Sequence, residues 1–197
     1  MRKLVVLTSN AKEQIYMLKT RIKTSLRKLT GQSDYQRWGN RQNLSPDWDS
    51  RSEKIAKQIE PGTSVIEFGA GRLVLKDLLA NGCSYTPSDL VDRGYGTIVC
   101  DLNGTLPQLQ PYDAAVFSGV LEYVSDVPRL ISHLASCVNV IVASYAVTDT
   151  NKKNRRDHGW VNDYNSVQFI DIFERVGFQC DCTEEWRSQL IFRFTKR

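Results

Sequence analysis

Long apolar segments are missing from this chain of 197 residues. No run approaches the ~20 apolar residues that a helix needs to span a bilayer. The first seven residues contain only four consecutive apolar positions, which is too short for the apolar core of a secretory signal peptide. We therefore expect a cytoplasmic protein.

Metal-ligand and disulfide patterns are missing as well. The chain has only two histidines and an odd number of cysteines, five. The cysteines are Cys83, Cys100, Cys137, Cys180 and Cys182, and none of them forms a CxxC pair. Structural zinc sites need clustered Cys and His ligands, and a disulfide framework needs paired cysteines. We expect neither, and we expect no metal site.

Positive charge is concentrated at one end of the chain. Residues 1–29 carry eight Lys and Arg against Glu13 alone, a net charge of +7, which leaves −3 for the rest of a chain whose total is +4. Such asymmetry indicates an anionic partner for the amino-terminal segment and not for the whole protein.

The same basic segment has the pattern of an amphipathic helix. Asn10 followed by Glu13 resembles a capping box, which predicts a helix start, and Gly31 is typical of a helix end. Apolar residues between them recur at steps of three and four, at Ile15, Leu18, Ile22, Leu26 and Leu29.

Three interpretations of this helix are open. Residues 10–29 would lie peripherally on an anionic membrane surface. They would instead bind nucleic-acid phosphates, which we favour less because the rest of the chain is negatively charged. The third interpretation is that the apolar stripe packs on the protein's own body, with its charges solvated.

Residues 32–50 are polar and irregular but contain Tyr35, Trp38 and Trp48. These aromatic residues either form a lid over a bound ligand or fasten the basic helix to the body. We therefore divide the chain into a helical extension with an aromatic lid segment, residues 1–49, and a main domain, residues 50–197.

Beyond residue 50, short β-rich runs alternate with helical patterns. The most apolar runs, 63–68, 114–117 and 138–144, are typical of buried parallel strands. This alternation predicts an α/β fold with right-handed crossovers. Residues 178–183 and 189–194 follow each other closely instead, which predicts an antiparallel hairpin at the sheet edge.

A glycine-rich turn follows the first of these runs. Gly69 and Gly71 allow the backbone to turn tightly and a ligand to approach closely. A dinucleotide fingerprint would have a third glycine where this chain has Val74. Glu67 at the strand end is unfavourable beside a pyrophosphate, but it suits a cationic ligand such as a sulfonium or an ammonium group.

The Glu67-x-Gly69-x-Gly71 motif after an apolar strand resembles motif I of the class I S-adenosylmethionine-dependent methyltransferases. The resemblance, to a small-molecule, type 11-like branch, covers about residues 60–197. It implies a Rossmann-like, doubly wound α/β fold with a mostly parallel seven-stranded sheet and a C-terminal antiparallel hairpin. It also implies S-adenosylmethionine as the cofactor.

The resemblance further implies a cofactor site at successive strand ends. Asp89 lies 20 residues after Gly69, where a ribose-binding carboxylate belongs. Asp101 takes the place of the residue that faces the adenine amino group. The implied cofactor-binding residues are Glu67, Gly69, Ala70, Gly71, Asp89, Leu90, Asp101, Leu102, Ser118, Gly119 and Val120.

The candidate catalytic residues are His158, Glu122 and Tyr145. Loops beyond the carboxyl ends of the strands face the ligand in this type of fold. His158 would be a general base beside the stacking platform of Trp160, or part of an exposed basic loop with a packed tryptophan. Glu122 would be an active-site carboxylate or a helix-start carboxylate.

A small-molecule acceptor is expected. Relatives that methylate planar nitrogens carry Asn/Asp-Pro-Pro-Tyr after the fourth strand, where this chain has Ser118-Gly-Val-Leu121. The basic helix and residues 152–156 favour a phosphorylated, nucleotide-linked or lipid-linked sugar or metabolite. Two alternatives stay open: a nucleic-acid methyltransferase that uses the basic helix as a phosphate-binding arm, and a cofactor-binding pseudoenzyme with a protein-interaction role.

Overall fold

The computed structural model describes the backbone of residues 2–197 and the side chains from residue 11 onward. The helices are α1 (Arg2–Thr30), α2 (Tyr35–Trp38), α3 (Asp49–Ala56), α4 (Val74–Leu78), α5 (Val127–Leu134) and α6 (Ser166–Glu174). The strands are β1 (Ser64–Phe68), β2 (Ser84–Asp89), β3 (Ile98–Val99), β4 (Tyr112–Ser118), β5 (Val138–Tyr145), β6 (Phe178–Trp186) and β7 (Gln189–Lys196).

The seven strands form one sheet in the order β3-β2-β1-β4-β5-β7-β6. β1 pairs in parallel with β2 and β4, and β4 pairs in parallel with β5. β7 is antiparallel to both β5 and β6. The predicted mostly parallel seven-stranded sheet with a C-terminal antiparallel hairpin is confirmed.

Helices cover both faces of this sheet. Alternate strand residues enter two separate cores, as Val65 and Ile66 of β1 show. One core contains residues of α5 and α6, and the other contains residues of α3 and α4. Because successive side chains of a strand point to opposite faces, a strand covered on both sides is apolar throughout. The doubly wound arrangement places the carboxyl ends of β1, β2 and β4 at one edge.

Local signals explain where the helices beside the sheet begin. The Asp126 carboxylate accepts a hydrogen bond from the Arg129 amide at 2.9 Å, and Pro128 stands in the first turn of α5. Asn165 and Gln168 form a complete capping box at the start of α6.

α1 differs from the sequence-based expectation in two respects. The helix does not start at Asn10 but runs from Arg2, and neither Gly nor Pro interrupts the chain between these positions. Its apolar stripe does not pack on the body either: Ile15, Leu18, Ile22, Leu26 and Leu29 are between 53% and 83% exposed. No helix in the described part of the chain is both long and apolar enough to cross a membrane.

Candidate active site

A cavity of about 300 Å³ opens at the carboxyl ends of β1, β2 and β4. This size lies at the lower end of the ~300–1,000 Å³ that is typical of small-molecule sites. The turn after β1, the end of β2 and the end of β4 form one wall. Residues of the segment 33–52 and the loop after β5 form the other wall. The expected strand ends and the aromatic segment therefore meet at one cavity, although Asp101, Glu122 and Tyr145 do not line it.

The glycine turn after β1 is closed by backbone hydrogen bonds. The Gly69 and Ala70 amides donate to the Ser88 carbonyl at 2.8 and 3.1 Å. Gly69 has a φ of 71°, and a Cβ at this position would overlap the side chain of Val120 across the cavity. Both the conformation and the close approach require glycine here.

Glu67 is buried at the end of β1 and lines the cavity. The Tyr85 hydroxyl donates to its Oε2 at 2.5 Å. Burial raises the pKa of Glu67 to about 8, against the lowering effect of the Tyr85 hydrogen bond. A cation beside this carboxyl would favour its ionised form, because opposite charge lowers the pKa of an acid.

Asp89 is buried at the end of β2, and both of its oxygens have protein partners. Gly71 donates its amide to Oδ2 at 2.8 Å, and Arg93 donates Nη2 to Oδ1 at 3.1 Å. A carboxylate offers about four acceptor positions, so two protein donors leave room for further hydroxyl donors. Leu90, the next residue, also lines the cavity.

Asp101 stands outside the cavity wall, although Leu102 and Asn103 after it line the wall. Its Oδ1 accepts from the Ser33 hydroxyl at 2.6 Å, and its Oδ2 accepts from the Tyr35 hydroxyl at 3.1 Å. In this structure Asp101 therefore holds the lid segment against the edge of the cavity.

Ser118, Gly119 and Val120 line the cavity at the end of β4, where the buried guanidinium of Arg51 meets them. Arg51 donates Nε to the Ser118 hydroxyl at 2.9 Å and Nη2 to the Ser118 carbonyl at 3.0 Å. A Cβ on Gly119 would overlap this guanidinium. The position of the Arg51 side chain therefore requires glycine at residue 119. Arg51 also contributes a positive charge from α3 to the cavity wall.

Glu122 is fully buried just behind this wall and does not line the cavity. Its Oε1 accepts from the Ala146 amide at 2.9 Å and from Gln189 Nε2 at 3.1 Å, while Oε2 is buried with no hydrogen-bond partner among the residues that the structure describes. Burial raises the pKa of Glu122. Gln189 also accepts from Arg51 Nη1 at 2.9 Å, so hydrogen bonds connect Glu122 to the cavity wall through Gln189 and Arg51.

Tyr145 lies in the core and not in the cavity. Its side chain is fully buried, and its ring stacks on Phe169 with centroids 4.4 Å apart. Its hydroxyl hydrogen-bonds Asn162 and accepts from Arg155 Nη2 at 2.9 Å. In this structure Tyr145 therefore supports the loop after β5.

His158 lies in the cavity wall beside Trp160, with ring centroids 4.8 Å apart. Burial, followed by the charge of Lys153, lowers the pKa of His158 and favours the neutral imidazole. Trp160 donates Nε1 to the Tyr123 hydroxyl at 3.1 Å, which fixes this aromatic wall. A neutral imidazole in this wall can accept a proton from a molecule in the cavity.

The aromatic lid residues divide between two places. Trp38 and Trp48 line the cavity, with ring centroids 6.3 Å apart, and Trp38 makes an edge contact with Tyr123 at 4.8 Å. Tyr35 is half exposed and reaches Asp101 instead.

The cavity wall also contains functional candidates that sequence reasoning missed: Arg37, Arg51, Arg93, Asn103 and Gln189. Arg93 follows Asp89 by four residues, a spacing that could have indicated an ion pair. Arg51 gives no local signal, because its partners Ser118 and Gln189 are 67 and 138 residues away.

A model of the methyltransferase domain family matches residues 38–183, most of the chain and all of the cavity wall except Ser33, Arg37 and Gln189. The chain belongs to this family. The predicted class I methyltransferase identity is confirmed, and the methyl donor of this class is S-adenosylmethionine. A search of curated protein sequences finds no match to the chain.

Solved structures share the fold of this methyltransferase at low sequence identity. A Nostoc punctiforme protein assigned as an O-methyltransferase gives a TM-score of 0.70 at 11% identity, over 92% of this chain and 69% of its own. NcsB1, an O-methyltransferase from neocarzinostatin biosynthesis solved with S-adenosylmethionine and 2-hydroxy-5-methyl naphthoic acid, gives 0.61 at 16% over the same shares. Magnesium protoporphyrin IX methyltransferase from Synechocystis gives 0.56 at 19%, over 77% and 82%. The chain spans 54% and 56% of two other similar structures.

Proposed function

We propose that this methyltransferase transfers the methyl group of S-adenosylmethionine to a hydroxyl or amine of an anionic small molecule, with His158 as the general base. A phosphorylated, nucleotide-linked or lipid-linked sugar or metabolite meets this description. The observation that carries the proposal is that His158 and Arg37 lie in contact on the aromatic side of the cavity.

Arg37 supplies the positive charge for such an acceptor. Its guanidinium stacks over Trp38 at 4.7 Å, and its Nη1 donates to the His158 carbonyl at 2.8 Å. This is its one side-chain hydrogen bond among the described residues, so its other N–H groups are available to a phosphate or carboxylate. The rings of Trp38, Trp48 and Trp160 would bind the body of the acceptor by stacking.

The cofactor end of the cavity fits S-adenosylmethionine by charge and shape. Glu67 suits a cationic group, Asp89 has acceptor positions for the ribose hydroxyls, and the Gly69 turn leaves space that a Cβ would fill. Ser118, Gly119 and Val120 would line the methionine moiety, with Arg51 beside its carboxylate. When bound, S-adenosylmethionine supplies an electrophilic methyl carbon for in-line displacement.

The residues of the chain then have two tasks. Positioning of the acceptor by the aromatic wall and Arg37 contributes up to ~7–11 kcal/mol to lowering the barrier. His158 takes the proton that the acceptor hydroxyl or amine loses, which contributes ~10²–10⁴-fold. Glu122 and Tyr145, which do not line the cavity, would support its walls.

Pairs of hydroxyl compounds with and without a phosphate test this function in a radioactive methyl-transfer assay. We expect turnover of the phosphorylated members, and Arg37→Gln should raise their KM about tenfold or more, as expected for a charged hydrogen bond. Arg175→Gln, at an exposed residue directly after the end of α6, is the matched control. Turnover of nucleic acid alone would contradict the proposal. Cofactor binding without turnover of any acceptor would favour a pseudoenzyme.

A further inference from the structure

The orientation of α1 is opposite to that of an ordinary amphipathic helix. Its polar face packs against the rest of the protein: Thr24 is fully buried and donates to the Arg156 carbonyl at 3.2 Å. On the same side, Arg21 pairs with Asp157 and Lys28 pairs with Asp163. At about 100° per residue, the row Ile15, Leu18, Ile22, Leu26 and Leu29 lies about 130° around the helix from these contacts and is exposed.

We propose that this outward row, together with the lysines beside it, is a docking surface for an anionic lipid membrane. We call the row Ile15, Leu18, Ile22, Leu26 and Leu29 the apolar stripe. Single exposed apolar residues are common, but a continuous stripe along one helix face marks an interaction site. The ion pairs on the other face keep the stripe directed away from the protein.

Charge along the stripe identifies the partner. Lys12, Lys19 and Lys23 are exposed in a neighbouring row, and no salt bridge in the described part of the chain uses them. Tyr16 lies in the same row and is 69% exposed, and tyrosine is a common residue at membrane–water interfaces. An apolar stripe with a lysine border matches acyl chains next to anionic headgroups.

The other occupants fit less well. Two copies of α1 joined through their stripes would bring the lysines of both copies together, with Glu13 as the one acidic side chain among residues 11–30 to offset them. A nucleic acid would use the lysines but would leave the apolar stripe in water.

Vesicle co-sedimentation of the full chain tests the proposal. The probes are vesicles of equimolar phosphatidylcholine and phosphatidylglycerol, and vesicles of phosphatidylcholine alone. We expect binding to the anionic vesicles only. The double variant Ile22→Ser with Leu26→Ser should lower the partition coefficient about tenfold or more, since it removes apolar area without changing charge.

Two further variants make the test specific. Val167→Ser, at an apolar residue of α6 that is 74% exposed, should leave vesicle binding unchanged. Lys23→Gln should lower the partition coefficient about fivefold, the effect of one basic residue near an anionic surface. Circular dichroism and S-adenosylmethionine binding verify that each variant is folded.

Three results would overturn the proposal. The first is failure of the folded protein to bind anionic vesicles. The second is binding that the serine variants leave unchanged, which would show a purely electrostatic phosphate-binding arm. The third is a dimer in sedimentation velocity that the serine variants convert to a monomer, which would show that the stripe joins two copies.

Discussion

Arg93 donates Nη2 to Oδ1 of Asp89 at 3.1 Å, and both side chains are buried where β2 ends. Arg93 therefore occupies one of the acceptor positions of Asp89 before any ligand binds. Arg93 also donates to the Trp38 carbonyl, so the same guanidinium connects the end of β2 to the lid segment.

We predict that Asp89→Asn weakens S-adenosylmethionine binding by roughly ten- to a hundredfold, because a hydrogen bond to a charged group contributes ~1.5–3 kcal/mol. It should also lower the free energy of unfolding by up to ~3 kcal/mol, since Arg93 would remain buried without its carboxylate. Calorimetry and urea denaturation measure the two effects. Unchanged affinity in a folded variant would show that Asp89 is not the ribose ligand.

Alanine substitutions at Gly69 and Gly62 distinguish the effect of backbone strain on stability from the loss of cofactor binding. Gly69 and Gly62 have φ values of 71° and 77°, and, in the described part of the chain, no atom beyond the neighbouring residues lies within 4 Å of a Cβ built on Gly62. Alanine should cost ~1–2 kcal/mol of stability at either position. Only Gly69→Ala should also weaken cofactor binding about tenfold or more, a loss of ~1.4 kcal/mol, by displacing Val120. Equal affinities of the two variants would place the cofactor elsewhere.

Glu67 should make stability depend on pH. Its pKa is raised from 4.5 to about 8 by burial, so its contribution to stability is present below pH 4.5 and is lost as the pH rises through about 8. Within this window, the wild-type protein should lose up to ~1.4 kcal/mol per pH unit relative to Glu67→Gln. Urea denaturation of both proteins at a series of pH values measures the difference, and parallel curves would contradict the buried acid.

The two histidines provide a matched pair for the general base. His158 lines the cavity, whereas the ring of His133 on α5 contacts the Pro107 carbonyl at 2.9 Å. We expect His158→Gln to lower kcat by ~10²–10⁴-fold and His133→Gln to leave it nearly unchanged.

The pH profile provides a second test of the base. Burial lowers the pKa of His158, so kcat/KM of the wild type should rise with pH through a midpoint below ~6.5. A profile identical in wild type and His158→Gln would remove His158 from the mechanism.

The sheet and the glycine turn could be predicted because their signals are local. Glu67, Gly69 and Gly71 follow one apolar run, and strand–helix alternation implies a parallel sheet. Gln189 and Arg51 could not be predicted, because the fold brings them together from positions 138 residues apart.

Tyr145 and α1 show two further limits of sequence reasoning. The apolar run that predicts the fifth strand ends at residue 144, which leaves Tyr145 in the following loop. β5 includes Tyr145 instead, and its side chain points into the core. In α1, the periodicity correctly gave the apolar stripe from Ile15 to Leu29. It did not reveal which face contacts the body, because that depends on Asp157 and Asp163 far along the chain.

The central claim, that Glu67 and the Gly69 turn bind S-adenosylmethionine, is tested most directly by calorimetric titration of this compound into the folded protein in two buffers of different ionisation enthalpy. We predict saturable binding in the micromolar range, roughly −8 kcal/mol. A proton should be released near neutral pH, as the cationic ligand lowers the pKa of Glu67 from about 8. Glu67→Gln should bind without that release. Absence of binding to both S-adenosylmethionine and S-adenosylhomocysteine, in protein shown to be folded, would contradict the account.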